Sequence, residues 1–460
     1  MFNQFRAKIV KKLALIMAGV LLLPNIADAS RADYKTTYNY AVRFYPRLLS
    51  YIQLAGTTNK LIGPDGMGPE YKIVVAINVD TLYASATLDL SKGPLVLTVP
   101  AYQNTYSILQ LDLFGNIFSN QLAPNTAGGV YSLIPPGYKG DIPAGTTAVQ
   151  MPYTSVELIF RADKYTADGQ DVSDQANDFR TNLQLQTLEA HNLDPKAGKT
   201  KIVPLYVLSP SPKQMADEGF AISPTQTLEV MQEAMAASST VPLTKNDRQL
   251  IKNFNNRFNA AKSSANASGE RLSDIIEGAQ AAHQAIIDRW HSHVDEHYWI
   301  HFDNVGHWGK SYLDRAALNE YIQWGNDAQA AYYGHAFKDE DGLPLDGGEY
   351  SYAIHFTKDQ IPQAKRFWSI TAYTPEQIEL VENSLEKYNV ASYTPGLVTD
   401  ADGGVTIRLQ ANAPKNAPQA NWLPIPNGPF NVMLRVYGPE GSAADGTYLP
   451  PKISRLPYEL

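Results

Sequence analysis

The clearest pattern in the chain is a period of two. Across 430–437, Phe430, Val432, Leu434 and Val436 share one face of an extended segment, and Asn431, Met433, Arg435 and Tyr437 share the other. Segments 367–373, 422–424 and 450–453 carry the same texture between turns rich in Pro and Gly, so the C-terminal region reads as a strand-rich domain. A second strand-rich region spans 71–161. There Ile73, Val75, Ile77 and Val79 line one side of a predicted strand, with Asn78 and Asp80 on the other. Further strands are predicted at 81–88, 95–99, 106–114 and 154–161. The third of these sets Ser107, Leu109, Leu111 and Leu113 against Tyr106, Ile108, Gln110 and Asp112. A face with Gln beside Asp turns to solvent or lines a cleft.

Elsewhere the period is helical. Tyr38, Val42, Tyr45, Leu48, Leu49 and Ile52 predict an amphipathic helix over 34–55, bent at Pro46 and packed on a sheet. From 162 to 341 the chain is mostly helical apart from an extended piece at 202–208. Ser223 or Thr225 starts one helix, Thr244 starts another with Asp247 in the capping-box position, and a long helix begins near Leu272. The expected class is α+β, mainly β. Its parts are a leader (1–29), an N-terminal helix (30–60), a strand-rich domain (61–165), a helical connection (166–341) and a second strand-rich domain (342–460).

Composition narrows the setting. Arg6, Lys8, Lys11 and Lys12 precede an apolar run over 13–23, followed by Pro24 and Ala27-Asp28-Ala29, the pattern of a cleavable export signal. The run is too short to span a bilayer comfortably, and no later segment reaches spanning length. Without 1–29 the formal charge moves from -8 to -11, 34 basic residues against 45 acidic, so there is no electrostatic case for nucleic acid. The 460 residues exceed what one core usually organises and contain no cysteine, which excludes disulfides, thiol nucleophiles and cysteine metal ligands. The 27 tyrosines suit sheets or an aromatic ligand surface.

Ile77-Asn78-Val79-Asp80-Thr81-Leu82-Tyr83 with Leu88-Asp89-Leu90-Ser91, Tyr312-Leu313-Asp314-Arg315-Ala316, Leu345-Asp346-Gly347 and the C-terminal strand series resemble tandem proteins built from the unknown-function domain families 1254 and 1214. The resemblance covers nearly the whole chain after the leader. It implies two β-sandwich, jelly-roll-like domains with helices between them, often exported and oligomeric, and brings no activity with it.

Two places could hold chemistry. Polar strand faces could converge in a cleft between the domains, with Asn78, Asp80, Tyr83, Gln110 and Asp112 from the first and Trp368, Arg435 and Tyr437 from the second. Two carboxylates and an Arg suit acid–base work on a sugar or an anion. Asp80 could equally cap a turn, and Trp368 and Trp422 could fill cores. The second place is the histidine-rich stretch 283–307. On a helix, His293, His297 and His301 would project from one side and could bind a divalent metal; alternatively, His297 and His301 would belong to a packed seam with Ile287, Trp290 and Val294. No serine-hydrolase elbow, phosphate loop or dinucleotide fingerprint is present. The expected function is therefore a periplasmic or secreted protein, a homo-oligomer if it follows the resemblance, that binds a glycan or other small ligand in the cleft and needs no cofactor. The alternative is an exported hydrolase or lyase using paired carboxylates or a histidine-bound metal. N-terminal sequencing of the exported protein should begin at Ser30; a chain that still began at Met1 would refute cleavage.

Overall fold

A computed structural model describes residues 31–53, 58–204, 210–237, 243–263, 268–415 and 417–456. The segment read as a leader lies outside the described residues. The fold is mixed α+β, with helix and strand in comparable measure. Among the described residues no helix is long and apolar enough to cross a membrane.

The first helix, α1 (Ala32–Gln53), buries side chains around most of its circumference, among them Tyr40, Ala41, Phe44, Tyr45, Leu48, Leu49 and Ile52. Such a helix belongs inside a protein. Two short helices, α2 (Ser173–Asn182) and α3 (Leu188–Leu193), flank the first sheets. Then α4 (Pro212–Ile222), α5 (Pro224–Ala237), α6 (Lys245–Ser263), α7 (Ser268–Ser292) and α8 (Tyr312–Tyr321) pack around α1. The expected packing of α1 on a sheet is thus replaced by packing chiefly among helices, and the helix runs on through Pro46. Gly278 permits the closest approach, since a Cβ there would stand 2.6 Å from the Tyr34 carbonyl oxygen. At the start of α6 the predicted capping box is formed. The Thr244 amide donates to Asp247 Oδ2 at 2.7 Å, and the Asp247 amide donates to Thr244 Oγ1 at 3.1 Å.

The N-terminal strands are β1 (Ile62–Pro64), β2 (Thr81–Asp89), β3 (Leu95–Val99), β4 (Tyr106–Leu111), β5 (Gly129–Ile134), β6 (Thr147–Gln150), β7 (Ser155–Asp163), β8 (Gln184–Thr187) and β9 (Lys201–Val203). They form sheets of order β4-β7-β2-β1-β9 and β6-β5-β3-β8. One apolar cluster takes Leu82, Ala84, Leu158 and Phe160 from the first sheet and Leu95, Leu97, Tyr131 and Leu133 from the second. The C-terminal strands are β10 (Trp299–Ile300), β11 (Ala331–Ala336), β12 (Ser351–Phe356), β13 (Ala364–Tyr373), β14 (Asn389–Ala391), β15 (Val405–Gln410), β16 (Trp422–Pro424), β17 (Asn431–Pro439) and β18 (Ile453–Leu456). Their orders are β10-β11-β17-β13-β14 and β16-β15-β12-β18. Trp368, Ile370, Val432, Leu434 and Val436 share a cluster with Tyr352, Ile354, Phe356, Ile407 and Leu409 of the other sheet.

The remaining faces of the two five-stranded sheets are also buried. Tyr83, Leu109 and Ile159 from one, and Tyr333, Phe367, Met433 and Tyr437 from the other, join the helices in a single central cluster. Segment 71–80 runs through it. The alternation of Ile73, Val75, Ile77 and Val79 predicts a strand, but the segment forms none. All four residues are buried, and side chains of the C-terminal sheet take up its carbonyls. Arg435 donates to the Ala76 carbonyl, and Tyr373 OH donates to the Ile77 carbonyl at 2.7 Å. Asn78 Nδ2 donates to Tyr437 OH at 2.7 Å. Asp80, fully buried, accepts from Ser369 Oγ at 3.0 Å, from Asn389 Nδ2 at 2.6 Å and from Tyr393 OH. Beside this clamp Arg366 and Asp163 form a buried two-pronged ion pair, with Nε to Oδ2 at 2.9 Å. Tyr165 and Tyr393 stack at 4.0 Å.

Two predictions follow from this burial. Asp80→Ala would strand the buried hydroxyls of Ser369 and Tyr393 and remove a carboxylate that stabilises the Arg435 charge, so its unfolding free energy should fall by about 3–5 kcal/mol. A wild-type unfolding midpoint in that variant would show that the clamp contributes nothing. The second concerns Glu157 on the outward face of β7, 1% exposed, with Thr87 Oγ1 donating to it at 3.1 Å. Burial pushes its carboxyl up to about 8, against an ordinary value of 4.5. Between these values the folded chain holds a proton that the unfolded chain has lost, so this group makes stability fall as pH rises through the window. Glu157→Gln should therefore raise the thermal midpoint at pH 9 and do progressively less towards pH 5; a pH-independent effect would contradict the assignment.

Candidate functional site

Five of the eight residues expected in a cleft do meet. Asn78, Asp80, Arg435 and Tyr437 lie in the clamp around segment 71–80 and bind one another, their neighbours and the backbone rather than framing an open cleft, while Tyr83 lies beside it and lines a small cavity. Burial opposes the charge of Arg435, but Tyr373, Tyr437 and Asp80 outweigh it and hold the guanidinium above its ordinary pKa. The other three sit elsewhere. Gln110 shares the inward face of β4 with Tyr106 and Ile108, buried, and donates to the Leu122 carbonyl at 3.0 Å. Asp112 organises a turn, accepting from the amides of Phe114 and Asn116 at 2.9 and 3.0 Å, and burial pushes its carboxyl up. Asp80 and Asp112 share no partner, so the expected carboxylate pair is not formed. Trp368 is 4% exposed between the C-terminal sheets, 5.7 Å from Phe356, and Trp422 donates its indole N–H to the Gln410 carbonyl at 2.8 Å.

The histidine geometry is corrected as well. Helix α7 ends at Ser292, before His293. Asp295 Oδ1 then accepts from the amides of His297 and Trp299 at 2.8 and 2.9 Å and folds the chain back, with Val294 bridging Ile300. A spacing of four has no meaning in that turn. His293 stacks on Phe302 at 4.2 Å, His297 Nδ1 pairs with the Pro450 carbonyl at 2.6 Å, and His301 pairs with the Tyr333 carbonyl at 2.9 Å and with Asp303. The three imidazoles have three different sets of partners and form no common ligand set.

A small cavity lies on the face of the first sheet that turns towards the central cluster. Its volume is about 50 Å³, and it is walled by Ile62, Ile73 and Val74 on its apolar side and by Tyr83, Arg161 and Gln323 on its polar side. The sheet register places Tyr83 directly opposite Arg161. Arg161 is 4% exposed, and its two Nη atoms donate to Asn326 Oδ1 and the Trp324 carbonyl, each at 2.8 Å. Both acceptors are neutral; the guanidinium lies 5.5 Å from the centre of the Tyr83 ring, and among the described residues Arg161 Nε has no aligned hydrogen-bond partner. Gln323, 1% exposed, donates to Gln53 Oε1 at 2.8 Å and leaves its own Oε1 unpaired. Leaving such groups unmet costs about 1–3 kcal/mol each, more for a charged one, and Arg161, Gln323 and Trp324, whose Nε1 is also unpartnered among the described residues, all wall this cavity. Sequence reasoning missed Arg161 and Gln323. The available signal was Glu157, Arg161 and Asp163 recurring on one face of a strand whose other face is wholly apolar.

The comparisons fit this architecture. The model described as "Protein of unknown function (DUF1254)" matches residues 58–187, and "Protein of unknown function (DUF1214)" matches 330–441. No curated protein matches significantly. Among solved structures, the VPA0106 protein from Vibrio parahaemolyticus is similar with a TM-score of 0.59 and 19% identity, over 92% of this chain and 100% of that one, a likeness of fold. An uncharacterized protein from Burkholderia cenocepacia aligns with a TM-score of 0.42 and 15% identity, over 99% of this chain and 94% of that one. The chain is therefore a tandem of the two families, DUF1254 followed by DUF1214.

Proposed function

We propose that this is an exported binding protein for a small organic acid, held in the cavity between the first sheet and the central cluster. Export rests on the basic, apolar and Ala27-Asp28-Ala29 pattern of the first 29 residues. Binding rests on one observation above all: Arg161 Nε and Gln323 Oε1 are buried, unpartnered and belong to residues that wall the same cavity. A ligand that satisfies both brings an acceptor for the guanidinium and a donor for the amide oxygen, with a short apolar body against Ile73 and Val74. A short-chain hydroxycarboxylate has that chemistry. Size argues for a small ligand, since about 50 Å³ is well below the roughly 300–1,000 Å³ of pockets for drug-sized ligands. A glycan unit is correspondingly disfavoured at this place.

A thermal-shift and calorimetric screen of residues 30–460 with lactate, 3-hydroxybutyrate and butyrate tests the reading. A binder should raise the unfolding midpoint in proportion to the logarithm of its concentration. Val74→Phe, which fills the cavity without touching its polar groups, should abolish the shift while the protein stays folded, and Arg161→Gln should weaken binding by about tenfold or more. Absence of any shift with all three acids, or an equal shift in Val74→Phe, would refute it.

A further inference from the structure

A second constellation lies away from the cavity, where four helices converge. Tyr45 of α1, Lys213 and Asp217 of α4, His283 of α7 and Glu320 of α8 meet inside the helical layer. Lys213 Nζ bonds to Asp217 Oδ2 and to Glu320 Oε1, each at 2.7 Å, and Tyr45 OH donates to the other Glu320 oxygen. Glu320 is fully buried and His283 is 8% exposed. The imidazole is held in place by stacking on Phe220, with ring centres 4.9 Å apart and planes 13° from parallel.

The unusual feature is the pair Asp217 Oδ1 and His283 Nε2. They stand 3.2 Å apart, and among the described residues neither atom has an aligned hydrogen-bond partner. Two donor atoms bound to one cation at about 2.1 Å each stand about 3.0 to 3.4 Å from one another in octahedral or tetrahedral geometry. The observed separation falls within that range. A Glu320 oxygen completes a set in which the three ligand atoms lie within 4.8 Å of one another. We propose that Asp217, His283 and Glu320 form a binding site for a divalent transition-metal ion. One imidazole and two carboxylates suit Zn²⁺, Mn²⁺ or Fe²⁺, whereas Ca²⁺ requires six or more oxygen ligands. The Asp217 side chain, 23% exposed, gives the ion its way in.

Lys213 is the competitor. Its ammonium occupies Glu320 Oε1, and metal entry releases that contact while the bond to Asp217 Oδ2 remains. Metal affinity is accordingly limited by the positive charge of Lys213 and rises when that charge is removed.

The test uses residues 30–460 stripped with chelator and carrying His355→Ala, which removes the exposed His355, Asp400 and Asp402 group as an alternative surface site. Zn²⁺ and Mn²⁺ are then titrated by calorimetry and by thermal shift. One equivalent should bind and raise the midpoint. His283→Phe, which keeps the stacking on Phe220, should weaken binding by about tenfold or more, and Lys213→Met should tighten it by about tenfold or more. Asp217→Asn, at the accessible edge, gives the same loss if His283→Phe fails to fold. No stoichiometric binding of either ion, or affinity unchanged in both His283→Phe and Lys213→Met, would overturn the site.

Discussion

Segment 71–80 has to cross the middle of the molecule without belonging to a sheet, and the rest of the structure is arranged around that constraint. Its apolar side chains favour the interior, but its backbone carbonyls need donors there, and no neighbouring strand supplies them. Lys164 of the same half serves the Val79 and Asp80 carbonyls, and the other donors come from the opposite half of the chain: Arg435 for Ala76, Tyr373 for Ile77, and Ser369, Asn389 and Tyr393 for the Asp80 carboxylate. Satisfying one segment thereby fixes how the two halves sit against each other.

Such an arrangement is costly to build and strongly specifying once built. A buried ion loses several kcal/mol of hydration, and only good geometry with additional hydrogen bonds offsets the loss. The Arg366–Asp163 fork has that geometry, and Asp80 has three donors. Arg161 is different. Its guanidinium is buried against neutral acceptors and keeps an unmet N–H beside a cavity. Arg435 in the seam likewise keeps an unmet Nη1, so what sets Arg161 apart is the cavity beside it. In the helical layer Asp217 Oδ1 and His283 Nε2 stand 3.2 Å apart without an aligned hydrogen bond.

Much of the fold is legible in the sequence because side-chain alternation encodes burial directly. The two faces read from 430–437 are those observed, with Val432, Leu434 and Val436 turned towards the facing sheet and Met433, Arg435 and Tyr437 towards the centre. Alternation does not, however, report the hydrogen-bond partner. Segment 73–79 is apolar at every position but Asn78 because it is buried almost throughout, and only the tertiary structure reveals that side chains serve its backbone. The spacing of His293, His297 and His301 carries information only on a helix, and Asp295 ends that possibility with two amide contacts. The Lys213 constellation is illegible for another reason. Its members come from four helices, and beyond the Lys213–Asp217 pair at i,i+4 no local pattern joins them.

The central claim is that the two halves fold as one body through their shared polar seam and central cluster. Differential scanning calorimetry of residues 30–460 tests it most directly. The account predicts one cooperative transition in which the calorimetric and van't Hoff enthalpies agree. Two resolved transitions, one for each half, would contradict it.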